Sequence, residues 1–203
     1  MSAEKNEPVS LSASGPPLTS PEELRDLVRL SMFAALIGAG ALIYIPFGPL
    51  FLSLQTMMVM LTGFMLGPKK AGLAILVYLA CGFIGLPMFG RGRTGPASFI
   101  GPTAGYFPGF AAGAMIAGLS TYVKGSRTRR LAAMILCGLV GTVVLLAMGS
   151  VGLRLTVIGD WGKAFAVGMY PFLPGDFAKM IAAALIKESF FPVREETREG
   201  ADA

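Results

Sequence analysis

The sequence predicts an all-α integral membrane protein with six transmembrane helices. Of its 203 residues, 54% are hydrophobic and only 14% are charged, whereas about a quarter of an ordinary soluble domain is charged. Apolar stretches recur along the chain, each long enough, or nearly so, to cross roughly 30 Å of hydrocarbon. The six stretches are 27–45, 50–66, 71–86, 104–123, 131–153 and 164–186.

The start of the first helix is marked by a capping signal. Ser20, Pro21 and Glu23 provide an N-cap hydroxyl, a proline at the first helical position and an acidic residue at the third. We therefore expect the helix to begin near Pro21. Residues 1–20 are Ser/Pro-rich and are predicted to be a disordered cytoplasmic leader, 21–191 the six-helix domain, and 192–203 a polar cytoplasmic tail.

The distribution of basic residues predicts the orientation of the helices. Of the 17 Lys and Arg residues, 12 fall on the side that holds both termini and 4 on the other, while Lys179 belongs to neither. Basic loops face the cytoplasm, so both termini are predicted to be cytoplasmic in a bacterial-type inner membrane. The basic run at 124–130 is a short loop between two stretches, and we interpret it as an orientation signal and not as a nucleic-acid site.

Several kinds of chemistry are excluded or disfavoured by residue content. The chain has no His and only two Cys, Cys81 and Cys137, which removes His-dependent catalysis and the usual zinc sites. The sequence contains no P-loop motif, and the GxGxxG match at 90–95 follows an apolar stretch instead of a strand. We therefore predict a protein that is not an enzyme and holds no metal, with no ATPase site of its own.

The sixth stretch carries two charges where the hydrocarbon core is expected. Pro171 and Pro174 prevent a regular helix before them, so the helix proper should begin near Pro174. Asp176 and Lys179 then lie one turn apart, near mid-depth of the membrane. Intramembrane charges usually mark a substrate or ion path, and a structural ion pair is the less favoured interpretation.

Polar and aromatic residues at the ends of several other stretches predict a pocket on the same side. Gln55, Thr103, Tyr106 and Tyr170 supply hydrogen-bonding groups and aromatic surface. The link 87–103 is long and rich in Gly and Pro, as many lids are, and it carries Arg91 and Arg93. Together with Asp176 and Lys179, these residues predict a binding site for a small, partly polar or anionic molecule.

Two stripes of small residues predict close helix packing. The first follows every fourth residue and consists of Gly101, Gly105, Gly109, Gly113 and Ala117. The second lies in the first helix, where Ala35 and Ala39 run beside Ala34 and Gly38. Such stripes let helix backbones approach closely in lipid. Spacing alone leaves open whether the first helix packs internally or against a partner.

Five motifs, in this order and at these distances, resemble the BioY family, the biotin-specific substrate-binding (S) components of energy-coupling factor (ECF) transporters. They are Leu54-Gln-Thr56, Leu66-Gly-Pro68, Gly85-Leu-Pro87, Gly101-Pro-Thr-Ala-Gly-Tyr106 and Pro171-Phe-Leu-Pro-Gly-Asp-x-x-Lys179. The resemblance implies an S-component bundle that captures biotin, as transported ligand and not as cofactor, from outside the cell. It also implies that Asp176 and Lys179 belong to the biotin pocket. Ala35 and Ala39 would contact the transmembrane coupling (T) subunit, which works with ATPase subunits.

Two questions stay open at this stage. Asp176 is expected to accept hydrogen bonds from the ureido N–H groups of biotin, while Lys179 or a loop arginine such as Arg93 pairs with its carboxylate, or the two ends are reversed. Uptake is energised either by shared ATPase subunits or not at all, in a solitary and oligomeric transporter. A small-solute or ion channel is a third and less favoured function.

Overall fold

The first helix begins at the predicted capping box. In the computed structural model, which describes residues 20–47 and 50–191, helix α1 (Pro21–Leu42) has Ser20 as its N-cap. The Ser20 hydroxyl accepts a hydrogen bond from the Glu23 backbone N–H at 3.2 Å, and the Glu23 carboxylate accepts one from the Ser20 N–H at 2.7 Å. The predicted leader, apart from Ser20, and the predicted tail lie outside the described residues.

A β-hairpin follows α1 and corrects the all-α prediction. Strands β1 (Tyr44–Phe47) and β2 (Leu50–Ser53) pair antiparallel, with Tyr44 opposite Ser53. Pro46 explains why the helix stops at Leu42 and not at residue 45, because the residue before a proline is biased towards extended backbone and the proline ring cannot continue a helix.

Helix α2 (Gln55–Phe83) is a hairpin of two arms. Gly67 has φ 75° and ψ 173°, a non-helical conformation reserved for glycine, and Pro68 follows it. Gln55 and Tyr78 are 23 residues apart, about 35 Å along a straight helix, yet their side chains are joined by a 2.6 Å hydrogen bond. The arms 55–66 and 68–83 therefore fold back on each other, in agreement with the predicted stretches 50–66 and 71–86.

Helices α3 (Tyr106–Gly118) and α4 (Arg127–Leu153) are in backbone contact along the predicted glycine stripe. A Cβ atom added at Gly109 would lie 2.8 Å from the Leu145 carbonyl oxygen, and one at Gly113 would lie 2.9 Å from that of Gly141. Interhelical packing is thus confirmed for the part of the stripe within α3. Gly101 does not belong to it, because it lies in a turn before α3 begins.

The link between α2 and α3 is folded into the bundle by aromatic side chains. Phe89 is 2% exposed, and its ring lies 5.5 Å from that of Phe99 and 4.7 Å from that of Phe107. A Cβ atom at Gly82 would collide with the Phe89 ring, so this glycine makes room for it. The link is an ordered, packed cover and includes two short 3₁₀ turns.

The sixth predicted stretch, 164–186, is split into two helices. Helix α5 (Trp161–Gly168) ends before Pro171, and α6 (Leu173–Phe190) begins with Pro174 in its first turn. Because proline lacks a backbone N–H and clashes with the preceding turn, the break falls where the two prolines predict it. The predicted start near Pro174 is confirmed, and the structure adds a separate short helix, α5, before it.

One end of the bundle, which we call the hairpin end, holds the β-hairpin, the link and α5. At the opposite end lie the Gly67 turn and the ion pair between Arg130 and Glu188. Judged by length and apolar composition alone, two segments of the described chain are able to cross a membrane, Gln55–Phe83 and Arg127–Ile158.

Candidate functional site

A cavity opens near the hairpin end of the bundle. It is bounded by β2, the start of α2, the link, α3, α4 and the start of α6. Its polar lining is Ser53, Gln55, Thr56, Thr103, Tyr106 and Asp176, and its apolar lining is Phe107, Phe110, Leu146 and Phe172, with Gly90 beside them. The mixture of large apolar walls with a few converging polar groups is typical of a small-molecule site.

Asp176 is the centre of the polar wall. Its Oδ1 accepts a hydrogen bond from the Thr56 hydroxyl at 2.8 Å and another from the Lys179 ammonium at 2.9 Å. Lys179 also donates to the Ser53 backbone carbonyl at 2.7 Å. These three contacts join the first turn of α6 to β2 and to the start of α2.

The pair is buried and held rigidly. The side chains of Asp176 and Lys179 are 2% and 16% exposed, and charges in such a place require partners. Asp176 also lies in the first turn of α6, where the backbone N–H groups and the helix dipole favour a negative group. Both hydrogen bonds from the described residues fall on Oδ1. The second carboxylate oxygen, Oδ2, accepts no hydrogen bond from the described residues, and Asp176 lines the cavity.

Three other predicted residues line the cavity, each in a different way. Gln55 is 4% exposed, and its Nε2 donates to the Tyr78 hydroxyl at 2.6 Å. Thr103 belongs to the turn before α3. The Tyr106 hydroxyl donates to the Gly168 carbonyl at 2.6 Å, so this tyrosine offers its ring to the cavity and not its hydroxyl.

Two predicted residues do not reach the cavity wall, and Lys179 reaches it only through Asp176. Tyr170 is 62% exposed on the segment between α5 and α6. Arg93 is exposed on the link, and its backbone carbonyl accepts a hydrogen bond from the Phe89 N–H at 3.2 Å. Sequence reasoning missed Ser53 and Thr56, although Thr56 stands inside one of the quoted motifs.

The small-residue stripe of α1 has two faces. Ala34 and Gly38 are buried, and a Cβ atom added at Gly38 would lie 2.8 Å from the Met88 Cε. Ala35 and Ala39 are exposed on the outside of the helix. Internal packing therefore uses the first pair, and the second pair forms an open surface without bulky side chains. In the part of the chain that the structure describes, no three His, Cys, Asp or Glu residues are grouped as metal ligands would be.

Comparison with known proteins identifies the relatives of this chain. The profile of the BioY family matches residues 9–195. The chain belongs to the BioY family. It is 39% identical to the biotin transporter BioY of Thermotoga maritima, over 80% of this chain and 94% of that protein. It is 36% identical to the biotin transporter BioY of Rhodobacter capsulatus, over 84% and 95% of the two chains.

A solved structure extends the relationship to the fold. The crystal structure of the S-component for biotin from an ECF-type ABC transporter superposes with a TM-score of 0.74 at 25% sequence identity, covering 87% of this chain and 96% of that one. The BioY chain described here therefore has the fold of an ECF S-component. Both the predicted family and the predicted bundle type are confirmed.

Proposed function

We propose that this chain captures biotin from outside the cytoplasmic membrane as the substrate-specific subunit of a transporter. The observation that carries the proposal is the buried Asp176–Lys179 pair on the wall of an apolar cavity, in a chain whose relatives are named biotin transporters. Biotin offers two ureido N–H donors, an apolar bicycle and a carboxylate on a flexible tail. The Oδ2 of Asp176, which accepts no hydrogen bond from the described residues, is suited to a ureido N–H. The aromatic walls are suited to the bicycle.

Six crossings with both termini in the cytoplasm are part of this proposal. The crossings would be α1, the two arms of α2, α3, α4 and α6, and the cavity would open outward at the hairpin end. The first arm has 12 residues and is about 18 Å long, but β2 extends it towards the outer surface. The basic residues support this orientation, since Lys70, Lys124 and Arg130 lie at the end opposite the cavity.

The two contacts of Lys179 indicate its role. Its ammonium is bonded to the Asp176 carboxylate and to the Ser53 carbonyl, so we assign it to holding the Asp176 side chain in place. The tail carboxylate of biotin would then lie towards the link, where Arg93 is the cation predicted to pair with it. In the reverse assignment Lys179 pairs with the biotin carboxylate, and its loss would weaken the binding of biotin but not of biotinamide.

Binding of biotin and biotinamide to the purified chain tests the proposal. We expect Asp176→Asn and Lys179→Gln to weaken both ligands alike, by about 10- to 100-fold, the usual effect of losing a hydrogen bond to a charged group. Lys163→Gln, which removes an exposed cation of α5, is the matched control and should bind both ligands normally. A Lys179→Gln defect confined to biotin would instead place the biotin carboxylate at Lys179. Full affinity for both ligands in both variants would contradict the proposal that this cavity is the biotin pocket.

Transport would be energised through coupling and ATPase subunits that dock on the Ala35/Ala39 surface. The openness of this surface supports docking, and the S-component fold of the family agrees with it. The alternative is a solitary, oligomeric transporter. Uptake by the chain expressed with and without coupling and ATPase subunits separates the two.

A further inference from the structure

We infer that Thr56 is a positioning residue whose hydroxyl sets the orientation of the Asp176 carboxylate and leaves a single oxygen, Oδ2, to accept a ligand N–H. The inference rests on the proposed function and deepens it. Thr56 lies in the first turn of α2, 120 residues from Asp176 in the chain, and its Oγ1 lies 2.8 Å from Asp176 Oδ1. Both residues line the cavity.

The direction of the Thr56 contact follows from its partners. Asp176 Oδ1 also lies 2.9 Å from the Lys179 ammonium, a group that carries donors only. The carboxylate of this ion pair accepts at Oδ1, and the Thr56 hydroxyl therefore donates to it. Because a hydroxyl has one hydrogen, Thr56 keeps no donor for a ligand.

Two donors on the same oxygen restrict the rotation of the carboxylate. The torsion about the Cβ–Cγ bond of an aspartate is otherwise broad, so a single contact at Oδ1 would still let the group turn about that contact. Thr56 reaches Oδ1 from α2, whereas Lys179 reaches it from α6 itself. The hydroxyl of Thr56 thus orients the carboxylate relative to a second wall of the cavity.

The orientation matters because Oδ2 is the oxygen left for a ligand. It accepts no hydrogen bond from the described residues, yet it is not one of their fully enclosed polar atoms that lack a partner. Oδ2 therefore keeps some accessible surface, although the side chain is only 2% exposed. One acceptor oxygen takes one N–H of a cyclic urea, and an analogue without that donor leaves the oxygen unpaired.

Two substitutions separate the hydroxyl of Thr56 from its shape. Thr56→Val keeps the branched shape and removes the donor, whereas Thr56→Ser keeps the donor and removes the methyl group. Thr56→Val should weaken biotin binding by about 3- to 10-fold, the range for one hydrogen bond, and Thr56→Ser should bind nearly as tightly as the unmodified protein. Equilibrium binding of labelled biotin to the purified chains measures this. A merely structural role would reverse the order of the two variants and would overturn the inference.

A double-mutant cycle shows whether Thr56 acts through Asp176. In the Asp176→Ala background the carboxylate is gone, so Thr56→Val should change biotin affinity no further. A direct contact between Thr56 and biotin, or an effect on the fold alone, would give the same factor in both backgrounds and would contradict the positioning role.

Further variants keep the test decisive. If Thr56→Val does not fold, Thr56→Ala removes the same hydroxyl and should show the same dependence on Asp176. Thr156→Val is the matched control, because it removes an exposed hydroxyl that is bonded to the Gly152 carbonyl one turn earlier, and it should bind biotin normally. Full affinity of a Thr56 variant without the hydroxyl would refute the inference alone, whereas failure of the unmodified protein to bind biotin would contradict the proposed function itself.

Discussion

At the scale of single residues, Tyr106 shows how a polar side chain can serve a site through its apolar face. Its hydroxyl is occupied by the Gly168 carbonyl, and its ring lies directly against Gly149, where an added Cβ atom would collide with the ring. The absence of a side chain at Gly149 thus leaves the space that the Tyr106 ring occupies. The position of this aromatic wall depends on a residue that does not itself line the cavity.

Gly149→Ala should therefore displace the Tyr106 ring into the cavity. We expect biotin affinity to fall by about tenfold or more, because an added methylene in a close-packed site forces a shift of its neighbours. Gly162→Ala is the matched control, since its Cβ would lie at an ordinary 3.5 Å from Asp160 Oδ1. Equilibrium binding of labelled biotin to both purified variants measures the difference. Equal affinities would show that the ring does not depend on Gly149.

The site residues that the sequence could predict are those that are chemically conspicuous where they stand. Asp176 and Lys179 are charges inside an apolar stretch, and both are found at the polar wall. Lys179 binds a backbone carbonyl 126 residues away, and a carbonyl has no signature in the sequence. The contact between Tyr78 and Gln55 was missed for a related reason. Tyr78 stands in an uncharged stretch and meets Gln55 only when the α2 hairpin closes.

At the scale of elements, helix α1 divides its small residues between two surfaces. Ala34 and Gly38 face the bundle, while Ala35 and Ala39 are left open. The spacing alone could not distinguish these faces, since both pairs follow the same four-residue interval. Burial separates them, and it leaves on the outside a strip where another helix backbone could approach closely.

Ala39→Trp tests the docking role of this strip. The bulky ring should spare biotin binding but reduce energised uptake by at least about tenfold, because it blocks close approach of a partner helix. Uptake is measured in cells that express the chain with coupling and ATPase subunits. Leu76→Trp, on a residue of α2 that is 58% exposed, is the control and should transport normally. Normal uptake by Ala39→Trp would favour the solitary transporter.

The sequence predicted the helices better than the connections between them. The α2 turn was foreseen because Pro68 and two lysines interrupt the apolar pattern there. The β-hairpin was not foreseen, since a short apolar run that contains Pro46 and Pro49 is compatible with either a helix end or a strand. The start of α6 was predicted from Pro171 and Pro174, whereas the separate helix α5 before it was not.

At the scale of the whole molecule, helix α6 forms a buried ion pair near each of its ends. Asp176 and Lys179 hold its first turn to β2 and α2. At the other end, Glu188 and Arg130 form an ion pair of 2.7 Å whose side chains are 2% and 12% exposed. Asp176 and Glu188 are 12 residues apart, so the two contacts are separated by about 18 Å along the helix.

Loss of the Arg130–Glu188 ion pair should lower the stability of the fold more than it weakens biotin binding. Breaking one side of a buried ion pair typically costs about 3–5 kcal/mol, so Glu188→Ala should unfold at a clearly lower temperature. Asp26→Ala breaks the exposed pair between Asp26 and Lys70, of the same 2.7 Å length, and should cost about 0–1 kcal/mol. Thermal unfolding in detergent compares them. Equal stability of the two variants would show that Glu188 does not fasten α6.

The Gly67 turn also has a consequence for biogenesis. The two arms that it joins are about 18 and 24 Å long, so neither, as a helix alone, matches roughly 30 Å of hydrocarbon. We therefore expect the two arms to enter the bilayer together, as a hairpin joined at Gly67.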